Sequence, residues 1–476
     1  MKIEKIIAQL SQKDYLQLAE QFKQTKADKY LLLIDLYRQD SLSEKAIQAE
    51  LDIKPAAFYT LKSRLFDKIQ EYLYKATTDT RIELLQNVAN VEHLVYQVPK
   101  ETAIGLLQKL ETELLKNDMP NELITVYKAL KKLHVYSPKY YEYQQLYNKY
   151  VAYNLAQDKA EEALASFCKT LSELYVTKNR KLLDILILYK REMQNLCRLH
   201  QSHRLTVHKN ILNIHFALFC PVPDEMHNDD TEEDMLKETY AILEKHADDS
   251  TYIHLVNIIH FLSFEYYSRL RLYKNAATHY EKVADENSSI LLCNHSCFSI
   301  HFLIAKLEWL LMQDKQDTLN EDEELIYIPE PVNIPEYIVY KHYKASVQFY
   351  KGSIAEAVQT LNSLINEVSF KDILHSEIET KLFLALLLLL SEKYDQAETV
   401  LRSITRKIND EDDELKYNTA FLYIKFLKTA LTSKSAGKLE KLTEMSQLLA
   451  ITNTGNAQIL PFLYIGKDHL KRLSKI

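Results

Sequence analysis

From Lys139 to Cys220 the chain runs without a single glycine or proline. These two residues are the main interrupters of helical structure, so a stretch of this length without either favours long helices. The scarcity is general. There are 5 Gly and 10 Pro in 476 residues, well under the ordinary usage of about 7% and about 5%. Alternating β-branched runs, the sign of strands, are hard to find. The expectation is an all-α protein, long enough for two to three domains.

The clearest local pattern is SEIETKLFLALLLLLSEKYDQAETVLRSITRKIN, residues 376–409. In its second half Tyr394, Ala397, Leu401 and Ile404 recur at spacings of three and four, one face of a helix. In its first half Leu382 to Leu390 is apolar all round, which predicts a helix buried on more than one side. Nine apolar residues are too few for a bilayer span, which needs about 20. The two helices meet at Ser391–Lys393.

These residues resemble the tetratricopeptide repeat. Leu384, Ala385 and Leu388 match its first helix, and Tyr394, Ala397, Leu401 and Ile404 its second. A further match is KGSIAEAVQTLNSLI, with Gly352 at the turn, Ala345 before it, and Ala357, Leu361 and Leu364 after it. A looser one is YKNAATHYEKV, with Tyr273, Ala276, Tyr280 and Val283. Ala357 and Ala397 stand 40 residues apart and Ala276 and Ala357 81, where the family period is about 34. The resemblance covers roughly 250–410. It implies an α-solenoid of stacked antiparallel helix hairpins, a superhelix whose concave surface takes a peptide or protein. His342, Phe349, Tyr350, Leu382, Leu386 and Leu389 are then the first-helix candidates for a peptide groove, which closes if the Leu-rich helix is covered.

The amino-terminal region carries a second pattern. Ser41 and Glu44 make a capping box, and the helix they start ends near Leu51. Pro55 falls in the first turn of the next helix, where its missing N–H costs little. Phe58, Leu61, Leu65, Ile69 and Tyr72 share one face of that helix. The stretch ELDIKPAAFYTLKSRL resembles the helix-turn-helix of sigma-factor-type regulators through Leu51, Ile53, Ser63, Arg64 and Leu65. It departs at Asp52, where Gly is common, and in three extra residues before Lys62. The resemblance implies DNA contacts from 41–73 through Lys54, Lys62, Arg64 and Lys68. Residues 1–75 hold 13 Lys plus Arg against 11 Asp plus Glu, less basic than DNA-reading domains usually are. The alternative is a small helical domain that only starts the stack.

Between these regions, Tyr140, Tyr143, Tyr147 and Tyr150 form an aromatic stripe at helical spacing, expected to be core. Two acidic, proline-bearing segments break the pattern, CPVPDEMHNDDTEEDM at 220–235 and DTLNEDEELIYIPEPVNIPEY at 317–337. The first reads as a solvated linker. The second holds an apolar stretch, Leu325–Pro335, expected either to pack as a long loop on the nearest helix ends or to lie as an extended strap in the groove beside the 339–350 and 382–390 helices. The expected organisation is a helix-turn-helix-like domain at 1–78, divergent helical hairpins at 79–225, and a tetratricopeptide-like solenoid at 226–476 with the insertion at 317–337. Leu463, Leu470 and Leu473 predict a terminal capping helix.

Chemistry is sparse. The net charge of −7 speaks against a broad nucleic-acid surface. The amino terminus has no apolar segment of a secretory signal. Five cysteines, an odd and scattered set, fit reduced thiols in a cytoplasm. There is no H-E-x-x-H, G-x-S-x-G or glycine-rich phosphate loop. Cys293, Cys297 and His301 climb about 12 Å along a helix, too far to share one ion. His200, His203, His208 and His215 lack acidic or cysteine partners at ligand spacing. The reading is therefore a non-enzymatic cytoplasmic scaffold, without cofactor or membrane association, binding an unknown protein or peptide. The alternative is a transcription regulator with the layout of bacterial peptide sensors.

Overall fold

The structure is a computed structural model that describes residues 3, 7, 10, 12–25, 27–39, 47, 48, 50, 51, 53–76, 80–220, 230–247, 249, 252–293, 298–313, 315, 319, 330–410, 417–432, 437–453 and 458–476. Among the described residues it is all-α, with 21 helices and no strand. It forms two compact units, Met1–Lys159 and Ala160–Ile476. The boundaries expected after 78 and after 225 both lie outside the described residues.

The first unit holds α1 (Gln12–Gln24), α2 (Asp28–Gln39), α3 (Pro55–Ala76), α4 (Thr80–Ala89), α5 (Val91–Gln97), α6 (Lys100–Lys116), α7 (Pro120–Leu133) and the start of α8 (Lys139–Thr177). Among its described residues are two separate cores. Phe58, Leu65 and Ile69 of α3 pack with Phe22, Leu33, Ile34, Ile47 and Leu51 in one. Leu107, Leu114, Leu123, Tyr127, Leu130 and Tyr143 build the other, with Tyr147 and Tyr150 packed against it. Three of the four stripe tyrosines are thus core. The Tyr127 and Tyr150 rings lie 5.4 Å apart, and Gln108 Nε2 donates to Tyr143 Oη at 3.0 Å.

The second unit continues from α8 through α9 (Lys181–Leu199), α10 (His203–Phe219), α11 (Glu232–Lys245), α12 (Ile253–Arg269), α13 (Tyr273–Cys293) and α14 (Phe298–Met312). It ends with α15 (Ile334–Tyr350), α16 (Ile354–Glu367), α17 (Leu374–Leu390), α18 (Tyr394–Asn409), α19 (Asn418–Leu431), α20 (Lys438–Thr452) and α21 (Lys467–Ser474). The Leu-rich α17 packs against α15, α16, α18, α19 and α21, which is why it can be apolar all round. Among the described residues no helix is long and apolar enough to cross a membrane.

Four helix pairs are joined by the same three-residue turn: α6–α7, α12–α13, α15–α16 and α17–α18. In each, one residue sits in the left-handed region: Asp118, Arg271, Gly352 and Glu392, at φ 45, 59, 79 and 61. Its N–H bonds to the carbonyl three residues back, and the next N–H bonds to the carbonyl five back. At α17 these are Glu392 N to Leu389 O at 3.1 Å and Lys393 N to Leu388 O at 2.9 Å. At α6 they are Asp118 N to Leu115 O at 3.3 Å and Met119 N to Leu114 O at 3.0 Å. This is the Schellman C-cap, which satisfies the last carbonyls of a helix and reverses the chain. The next helix then buries its fourth residue, namely Leu123, Ala276, Ala357 or Ala397. Ala357 and Ala397 are fully buried where two backbones approach. The α6–α7 pair went unread in the sequence because Leu123 replaces the small residue there.

Candidate functional site

The helix-turn-helix-like residues take different positions. Lys54, Arg64 and Lys68 are solvent-exposed on or beside α3, while Phe58, Leu65 and Ile69 point into the core. Ala56, Ala57, Tyr59, Thr60 and Ser63 share the exposed side. Lys62 instead folds over two rings, with Nζ 5.4 Å from the Phe58 and 5.6 Å from the Tyr37 centroid. The capping box Ser41–Glu44 lies outside the described residues.

The six groove residues do not line an open groove. His342, Phe349, Leu382, Leu386 and Leu389 are at most 2% exposed, and Tyr350 is half-buried. The covering element is the carboxyl-terminal segment. Phe462 meets His342 at 5.6 Å and Phe383 at 6.3 Å between ring centroids, and His469 stacks on Phe349 at 4.5 Å. Tyr350 Oη donates to Phe462 O at 3.0 Å and accepts from Tyr464 N at 2.8 Å. The place foreseen for a strap from 325–335 is thus filled by residues 459–473. Of that strap, 325–329 lie outside the described residues, and Val332 is 91% exposed.

The polar groups that converge in the interior of the second unit were not anticipated. α8 supplies Tyr175, the turn after it Lys178, α12 Glu265 and Arg269, α14 Glu308, α15 Tyr350, α17 Glu379 and α19 Tyr423. Packing fixes the register. Trp309 meets Phe264 edge-on at 5.4 Å, which brings Glu308 and Glu265, each one residue along, to neighbouring positions. Arg269 Nε reaches Glu265 Oε2 at 3.6 Å, and the guanidinium also covers the Phe219 ring at 4.9 Å. Glu379 Oε1 accepts from Leu460 N at 2.9 Å, and His375 Nε2 stands 3.7 Å from Oε2. Lys178 Nζ lies 4.6 Å over the Tyr175 ring.

Burial governs the acidities here. It pushes the Glu308 carboxyl up to about 8, aided by the like charge of Glu265 and opposed by Arg269. It pushes Glu379 up to about 7 against the pull of Lys178 and the Leu460 N–H. Glu265 is raised by burial and held back by Arg269. Burial lowers the Lys178 ammonium, with Glu379 opposing. Yet Tyr175, Lys178, Glu265 and Glu308 all keep some solvent contact. Tyr423 is 5% exposed, and burial raises its hydroxyl's pKa, with the charge of Glu379 adding to the rise. A sequence signal for this site existed: single carboxylates interrupting apolar helices, as Glu308 does in FLIAKLEWLLM.

Two histidine groups lie in the second unit. Tyr240 Oη lies 2.7 Å from His260 Nδ1 and 3.0 Å from Ser263 Oγ, and His260 Nδ1 lies 3.1 Å from His279 Nδ1. Burial lowers His260 to about 4, helped by Lys282 and His279, so both rings are neutral near pH 7. His208 Nδ1 donates to Arg204 O at 2.8 Å. No group of three or more His, Cys, Asp or Glu suited to a metal ion occurs among the described residues. Cys297 and His295 lie outside them, as do the side chains of Cys293 and His301.

No protein-family model, no curated protein and no solved structure matches this chain.

Proposed function

We propose that the chain is a non-enzymatic helical-repeat scaffold, built of tetratricopeptide-like hairpins in its second unit, that binds a peptide or protein segment. The polar interior carries this reading. Glu265, Tyr350, Glu379 and Tyr423 come from the first helices of successive pairs, the helices that line the inner surface of such a stack. Of the groups gathered here, Tyr175, Glu265, Glu308 and Tyr350 are buried enough to shift their acidity yet still meet solvent, which marks a recognition surface more often than a packed core. The repeated Schellman turn supports the hairpin arrangement. Immobilised full-length protein would be exposed to a randomised octapeptide library and the retained peptides sequenced by mass spectrometry. Retention of a defined subset, reduced by Tyr423→Phe or Glu308→Gln, is the expected result; no retention at all sinks the proposal.

A second reading, a DNA-binding regulator, is favoured by the exposed side of α3. Lys54, Arg64 and Lys68 stand around a patch of small and hydroxyl side chains, as a groove-reading helix requires. Binding of the full chain to a 30-base-pair duplex, followed by anisotropy from about 50 mM salt upward, tests it. Arg64→Ala should lower the salt slope by about one phosphate contact. Lys62→Ala should change it little, since Lys62 is turned onto Tyr37 and Phe58. Absence of binding at about 50 mM salt, where phosphate contacts are strong, removes this reading.

A further inference from the structure

Three helices of the second unit bring ligand-type atoms to one point. α12 carries His260, Ser263 and Tyr267 on one face, at spacings of three and four. α11 adds Tyr240 and α13 adds His279. His260 Nδ1 stands 2.7 Å from Tyr240 Oη and 3.1 Å from His279 Nδ1. Tyr240 Oη stands 3.4 Å from His279 Nδ1. The two imidazole centroids are 5.3 Å apart, so the Nδ1 edges face one another. Tyr267 stacks on His279 at 5.6 Å and holds that ring in place. His260 and Ser263 are buried, while Tyr240 and His279 keep contact with solvent.

This cluster is short of protons. Ser263 Oγ donates to Ile259 O at 2.8 Å, so Tyr240 Oη donates to Ser263 Oγ at 3.0 Å. Tyr240 therefore turns only lone pairs toward the two rings. Protons on both Nδ1 atoms would collide across 3.1 Å, which leaves at most one proton among the three atoms. Burial lowers both histidines, and neutral imidazole is the commonest metal ligand. Ligands held about 2.0–2.1 Å from zinc at tetrahedral angles stand about 3.3 Å apart. The separations here, 2.7, 3.1 and 3.4 Å, bracket that span. Calcium and magnesium, which take about six or more oxygens, do not suit two nitrogens and a phenol. We infer that His260 Nδ1, His279 Nδ1 and Tyr240 Oη form a zinc site that pins α11, α12 and α13 to one another, with a solvent molecule as fourth ligand. Its third donor is a phenol, which sets it apart from groups built of His, Cys, Asp or Glu alone. As the ion binds, His260 moves its ring proton to Nε2 and stays neutral. The exposed ammonium of Lys282, three residues along α13 from His279, opposes a cation here.

The test uses the full chain and the metal alone, and does not depend on peptide binding. Calorimetric titration with zinc should show one tight site per chain. Cobalt(II) in its place should give the intense visible bands of a tetrahedral centre. His279→Gln, at the solvent edge, should weaken zinc at least about tenfold, since losing even an orienting partner of a ligand costs about 10–100-fold, and should abolish the bands. His260→Gln should do the same. Far-UV circular dichroism checks the fold of each variant, and His279→Gln carries the test if His260→Gln does not fold. Tyr240→Phe should weaken zinc and alter the cobalt bands, and Lys282→Gln should tighten zinc. His200→Gln, beyond the end of α9, should leave both readouts unchanged. Failure of the wild-type chain to bind zinc overturns the inference, and so does binding that His279→Gln leaves intact. A loss in His200→Gln as large as in His279→Gln overturns it too, because the ion then sits on other histidines.

Discussion

His342 and Glu308 are both buried ionisable groups of the second unit, and they bend its stability against pH in opposite senses. Thr380 donates its hydroxyl proton to Ser376 O at 2.6 Å, so His342 Nε2–H donates to Thr380 Oγ1 at 2.8 Å. His342 is itself only 2% exposed, and burial lowers the group to about 3. The unfolded chain therefore takes the proton first, and the His342 share of stability is lost as pH falls from about 6.5 toward 3. Glu308 is the reverse. With its acidity pushed up to about 8, the folded form holds the proton longer, and stability is lost as pH rises from the ordinary carboxylate range through 8. Glu379, at about 7, adds to the same slope. Urea midpoints measured between pH 5 and 9 should fall with pH, and Glu308→Gln should flatten that fall. An unchanged slope would show that Glu308 ionises normally.

At the scale of the element, the four matched turns make the sharpest predictions. Gly352 sits at φ 79 with open space where a Cβ would go, so Gly352→Ala meets only backbone strain and should cost about 1–2 kcal/mol. Gly105 lies inside α6 with equally open surroundings, and there Gly105→Ala should stabilise by about 0.5–1 kcal/mol. Thermal melts that give both changes the same sign would refute the turn assignment. The close contact of α17 with α18 is tested by Ala397→Trp, expected to overpack and cost about 1–3 kcal/mol. Glu398→Ala, one residue on and exposed beside Arg402, should change stability by less than about 0.5 kcal/mol.

For the second unit as a whole, the carboxyl terminus is a covering layer rather than a tail. Ile459, Leu460, Phe462, Leu463, Ile465, Leu470 and Leu473 all belong to its main core. Leu460 adopts φ 51, a strained conformation for a bulky residue, while its N–H binds Glu379. At about 1.5–3 kcal/mol for each buried side chain, this layer contributes on the order of 10 kcal/mol, comparable with the entire stability of an ordinary domain. A chain ending at residue 457 should therefore lose the cooperative melting of the second unit and expose α15 and α17 to aggregation. A truncated chain that melts near the full-length temperature would show the layer to be dispensable.

The sequence by itself determined the all-α class, because breakers are rare and helical periodicity is written in local spacing. It also determined the α15–α16 and α17–α18 pairs, the exposed and buried sides of α3, and the terminal helix with Leu470 and Leu473 inward. Each of these depends on residues within a few turns of one another. Only the tertiary structure decided which layer covers the Leu-rich helix, since a proline-rich segment and the carboxyl terminus offered similar apolar side chains. Only the tertiary structure brought Tyr175, Glu265, Glu308, Glu379 and Tyr423 together from five helices spread over nearly 250 residues. Each looks, in its own helix, like an isolated polar interruption. Their shared burial and mutual field arise from packing between helices, which no local spacing encodes.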